Sequence, residues 1–141
     1  MSVANPPLDL SQKVIASHIM LFDCIESLKI SSREFSMLKP KLQIFTEYLL
    51  RHLQMQNEDL FKVLEENYRR ENPQSQMPFF FKAELKELKV RLYSFMEIYL
   101  ENSWSSGKHG LNRELKELLR AVLERMEAER AYMIPHLTNT Q

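Results

Sequence analysis

Both glycines of this 141-residue chain, Gly107 and Gly110, fall in one polar stretch at 102–110. Scarce glycine, frequent Leu, Glu and Lys, and apolar residues recurring about every 3.6 positions argue for helix almost throughout. No segment alternates as a strand would. The 102–110 stretch is then a turn, before a helix from about Leu111 to Ile134 that Pro135 stops. The 71–78 segment holds Pro73 and Pro78 among polar residues and is a loop. The helix after it runs to about Asn102, with an inner stripe of Phe81, Leu85, Leu88, Leu92, Phe95 and Tyr99. A first helix starts near Asp9 or Ser11, either of which can cap free N–H groups, and runs to about Lys29 with Ile15, His18, Phe22 and Ile25 inside. Ser31 and Glu34 have capping-box spacing. Pro40 disfavours helix at Lys39 and suits the first turn of a longer helix to about Arg70, leaving 30–39 as a connection.

Four helices joined by loops of about ten residues or fewer predict an antiparallel, up-down four-helix bundle. Residues 1–141 read as a single all-α domain, with a flexible N-terminus over about 1–8 and a tail at 136–141. Lys and Arg total 19, as do Asp and Glu, so no overall positive field recruits nucleic acid or anionic lipid. With Cys24 alone there is no intramolecular disulfide, and no secretory leader or run of about 18 apolar residues stands out. The expected address is cytoplasmic.

Polar groups interrupt the inner stripes. The second helix reads Leu42, Phe45, Leu49, His52, Gln56, Leu60 and Val63, with Leu60 one step off the strict seam. The last helix reads Leu115, Leu118, Val122, Arg125, Glu129, Tyr132 and His136. A faint twofold repeat emerges, because each helix carries a polar pair inside an apolar stripe. His18 interrupts the first stripe likewise. Buried charge without partners costs several kcal/mol, so His18, His52, Gln56, Arg125 and Glu129 should meet in one network.

His52-x-x-x-Gln56, followed by Glu58-Asp-Leu-Phe61 and Leu64, resembles the hemerythrin-like, or HHE cation-binding, family. That family repeats a His-x-x-x-Glu unit on two helices of a four-helix bundle. Arg125-x-x-x-Glu129, followed by Tyr132-Met-Ile-Pro135 and Leu137, looks like its second copy. The resemblance implies a hemerythrin-like bundle and a di-iron site of roughly five histidines and two carboxylates. Gln56 stands at a carboxylate position here, Arg125 at a histidine position, and the third helix has no histidine. His109 falls in the glycine-flanked loop and His136 beyond Pro135. Arginine cannot ligate a cation and repels one. The expectation is a lost di-iron centre, no cofactor and no enzyme activity. The alternative is a surviving mononuclear iron site from His18, His52 and Glu129, in an oxygen or nitric oxide sensor.

A second resemblance, to the regulator of sigma D and AlgQ family, rests on Gln43, Glu47-Tyr48, Glu58 and Leu60, and on Glu124-Arg125 with Glu129. It implies binding to the promoter-recognition part of a sigma factor. The family's first-helix Asp-Arg-Trp-Leu segment has no counterpart near Val14 to Phe22. Phosphate loops, nucleophile elbows and paired-cysteine zinc motifs are absent. Cys24, beside Asp23, has no cation to activate it and reads as an inert thiol. Lys82, Lys86, Lys89 and Arg91 form a solvated ridge interleaved with Glu84 and Glu87. The functional expectation is a regulatory module that binds a protein partner, a transcription component on the second resemblance, with no direct contact to nucleic acid or membrane. Trp104, between two serines in the last turn, either folds back over the bundle end or is the partner-binding anchor.

Overall fold

A computed structural model describes residues 9–30, 35–101 and 110–137, all-helical with no strand among them. The five α-helices are α1 (Leu10–Ile30), α2 (Phe35–Met55), α3 (Glu58–Glu71), α4 (Met77–Met96) and α5 (Leu111–Ala128). A π-helical turn, Glu97–Glu101, extends α4. A second, Glu129–Met133, extends α5 and leads into a short 3₁₀ turn, Ile134–His136. The Ser31–Glu34 pair, His109 and Trp104 lie outside the described residues, as do the termini at 1–8 and 138–141.

The start of α1 is a reciprocal cap. The Gln12 amide donates to Asp9 Oδ1 at 2.8 Å and the Asp9 amide donates to Gln12 Oε1 at 3.1 Å, so Asp9 rather than Ser11 caps the helix. Its inner face is Val14, His18, Leu21, Ile25 and Leu28, spaced alternately four and three. That corrects two expected inner residues. Ile15 is 45% exposed and Phe22 only partly buried, since each lies one helical step, about 100°, from the true stripe.

The 30–39 connection and the unbroken second helix are also corrected. Helix α2 begins at Phe35 and takes Pro40 inside it. At the sixth position proline removes one backbone hydrogen bond, near the end where free amides are tolerated. The early start carries Leu38 into the core beside Leu42. Instead of running to Arg70, the helix stops at Met55. The Asn57 amide turns back to the Met55 carbonyl at 2.9 Å, and the Asn57 side chain accepts from the Leu60 amide at 3.1 Å to start α3. Glu58 and Asp59 occupy the first turn, where helix-end partial charge favours anions.

Helix α1 packs on α2, both α2 and α3 pack on α4, and α4 packs on α5; the C-terminal 3₁₀ turn touches α3 and α1. The expected α4 stripe is buried throughout. On α5 it holds through Glu129 and then slips. Tyr132 is exposed and Met133 is buried, because a π turn holds more residues than an α turn and rotates the side chains beyond it. Similarly, Leu64 rather than Val63 is fully buried beyond the Gln56–Asn57 break. Among the described residues no helix is long and apolar enough to cross a membrane.

Asn57→Ala should lower unfolding free energy by about 1 kcal/mol, the usual worth of such a cap, and Asn57→Asp should restore most of it. Urea unfolding followed by circular dichroism checks this. Equal stability of all three proteins would mean that α3 does not depend on its own cap.

A buried carboxylate site

The five residues expected to meet do so, around Glu129. Its side chain is fully buried and begins the π turn. His18 from α1 and His52 from α2 both donate through Nε2 to Oε1, at 2.7 and 2.8 Å. Gln56, at the break after α2, donates through Nε2 to Oε2 at 2.6 Å. Arg125, one turn earlier on α5, donates through Nε to the same oxygen at 2.8 Å. A carboxylate offers about four lone-pair sites. All are taken by protein donors.

Arg125 uses four of its five N–H groups. Its Nη2 donates to Gln56 Oε1 at 2.5 Å, and its Nη1 donates to the Phe81 carbonyl and to Glu84 Oε1, both at 3.0 Å. The Phe81 ring lies under the guanidinium at 5.1 Å. Gln56 therefore uses both ends of its amide, as an acceptor from arginine and a donor to glutamate. Glutamine at this position has a job that glutamate could not do. A carboxylate there would set a second anion against Glu129 and leave it one donor short.

Two further groups join the network. Ser17 Oγ lies 2.7 Å from His52 Nδ1 and fixes that ring from the α1 side. The half-exposed Glu84 covers the outer edge of Arg125. Neither interrupts an apolar stripe, so the pattern that marks the other five is silent about them; the Phe81 carbonyl carries no sequence signal at all. His18 Nδ1 is buried and has no hydrogen-bond partner among the described residues.

Burial by itself would raise the pKa of Glu129. The hydrogen bonds from His18 and His52, with the charges of His52 and Arg125, outweigh it and hold the group well below its ordinary value of 4.5. Between these two values the unfolded chain binds the proton and the folded chain does not, so this stabilisation is present above pH 4.5 and is lost as pH falls.

Other candidates separate from this centre. His136 stands apart, stacked on Tyr68 with ring centroids 4.1 Å apart. Cys24 is half-buried, with burial first and then Asp23 pushing its thiol upward, in keeping with an inert side chain. Of the residues behind the sigma-regulator resemblance, Gln43, Glu47, Glu58 and Glu124 are exposed, whereas Leu60, Arg125 and Glu129 are interior.

The His18 and His52 nitrogens and a Glu129 oxygen lie within 4.8 Å of one another, close enough to be considered as a cation site. Their fit to a metal is poor. Ligand atoms placed 2.0–2.1 Å from a tetrahedral ion sit roughly 3.3 Å from each other. Here each imidazole nitrogen is at hydrogen-bonding distance from Oε1, and a guanidinium already occupies Oε2. A di-iron centre fits still less, since the Gln56 amide and the Arg125 guanidinium both bond the same carboxylate. No family model, no curated protein and no solved structure matches this chain.

Arg125→Ala leaves a buried anion short of its countercharge and should cost about 3 to 5 kcal/mol, whereas Arg51→Ala, which breaks the exposed Arg51–Glu47 pair, should cost about 0.5 or less. Urea unfolding of both variants checks it; a cost below about 1 kcal/mol for Arg125→Ala would contradict the buried network. In acid, wild-type stability should fall below pH 4.5 with a Glu129 contribution approaching about 1.4 kcal/mol per pH unit. Glu129→Gln should be less stable at neutral pH yet flatter in acid. An unchanged acid limb in that variant would show that Glu129 titrates alike in both states.

Proposed function

We propose that the chain is an antiparallel four-helix bundle of hemerythrin-like shape, without a di-iron centre, that acts as a non-enzymatic, cytoplasmic protein-binding module. In this reading α2 and α3 form one rod interrupted at Gln56, and the other three rods are α1, α4 and α5 with their π turns. The observation that carries it is the saturation of Glu129: protein donors fill the acceptor sites that a cation would need. Arg125 supplies positive charge at the position where the family pattern has a histidine ligand. A core closed in this way offers no open coordination position to a substrate, so recognition falls to the outside.

The outward side of α4 supports that assignment. Phe79, Phe80, Val90, Tyr93 and Ile98 are all large, apolar and exposed on this one helix and its π turn. A groove of about 740 Å³ between α4 and α5 runs past Val90, Phe95, Ile98 and Leu118. Shared exposure of this kind marks interaction surfaces, whereas scattered single residues do not.

The converging His18, His52 and Glu129 atoms favour one second reading, a mononuclear metal site. It requires both imidazoles to withdraw from Oε1 and the ion to tolerate Arg125 beside it. Elemental analysis after growth in iron-rich medium separates the readings. We expect less than about 0.1 metal per chain, and a melting temperature unmoved by chelator. Stoichiometric metal, lost on mutating either His18 or His52, would overturn the metal-free reading.

A further inference from the structure

One stripe on α4 is its own complement when reversed. Lys86, Val90, Tyr93 and Glu97 are spaced four, three and four, which places these residues on one side of the helix, away from Leu85, Leu88, Leu92 and Phe95 in the core. Val90 is 66% and Tyr93 51% exposed, and Lys86 and Glu97 are exposed as well. Neither Lys86 nor Glu97 makes an ion pair among the described residues, although other surface charges do, such as Lys82 with Glu65. In either direction the stripe runs charge, apolar, apolar, opposite charge.

We propose that this stripe joins two copies of the chain, α4 against α4, antiparallel about a twofold axis between Val90 and Tyr93. The inference names the partner for the protein-binding reading and rests on it. A twofold contact uses the same patch on both subunits, so the patch must be its own complement. With Val90 opposite Tyr93 of the second copy, Lys86 falls opposite Glu97, and the symmetry makes each pair twice. Lys89 then lies level with Ser94, Arg91 with Leu92 and Glu87 with Met96, so no like charges share a level. The parallel alternative sets Lys86 on Lys86 and Glu97 on Glu97. Charge therefore selects the antiparallel pairing, with Val90 and Tyr93 supplying apolar contact at its centre. An unrelated partner helix would have no need of this internal symmetry.

Sedimentation equilibrium of the full chain tests the proposal. Wild type should be a dimer at micromolar concentration. Lys86→Glu and Glu97→Lys each set like charges together twice and should raise the dimer Kd at least about tenfold. The double variant Lys86→Glu/Glu97→Lys reverses both charges, regenerates the pairs and should recover the dimer. Circular dichroism of these exposed substitutions checks that the fold is kept. A wild-type chain still monomeric at about 100 µM would overturn the proposal, as would single variants that dimerise normally or a double variant that does not recover. Metal content of the same samples reads out the metal-free assignment separately, so a monomer without metal defeats the dimer alone.

Discussion

A carboxylate sealed inside a helical protein dictates what surrounds it. Removing Glu129 from water carries a penalty that several donors must offset, and no one neighbouring helix can supply them all. The structure draws one imidazole from α1, another from α2, an amide from the end of α2 and a guanidinium from α5. Arg125 then fastens α5 to the Phe81 carbonyl and Glu84 on α4. One anion thus sets the relative level of helices that apolar packing alone would allow to slide. Loss of Arg125 would therefore weaken the docking of several elements together.

Two backbone irregularities serve this arrangement. Gln56 sits where α2 ends, its own amide reaching back only as far as the Leu53 carbonyl at 3.3 Å, and Asn57 then restarts the chain as α3. Glu129 opens a π turn, and the Ile134 amide bonds five residues back to the Glu129 carbonyl. Such turns are rare and gather at functional positions. Here each of these two irregularities coincides with a polar residue of the network.

The helical class and most of the core were legible because apolar spacing records burial directly. The α4 stripe and the interrupted positions His18, His52, Gln56, Arg125 and Glu129 could be read residue by residue. Where the backbone departs from 3.6 residues per turn, the same reading fails. It therefore put Tyr132 inside instead of Met133 and carried a single helix across Asn57. The helix break had a visible signal, since Asn57-Glu58-Asp59 is a capping residue followed by two first-turn acids. Pro40 misled in the other direction: its local preference yielded to the burial of Leu38. Glu84 and Ser17 lie beside the apolar stripes and leave no mark in them, and the Phe81 carbonyl belongs to the backbone.

The proposed reading puts four protein donors, and no metal ion, around Glu129. Long-range ¹H–¹⁵N spectra of the imidazole rings test this at the atoms concerned. We expect Nε2 of both His18 and His52 to carry a hydrogen, giving downfield, slowly exchanging signals that are unchanged by chelator or by added iron or zinc. Nε2 signals that are unprotonated, or that vanish on adding metal while the fold persists, would contradict it.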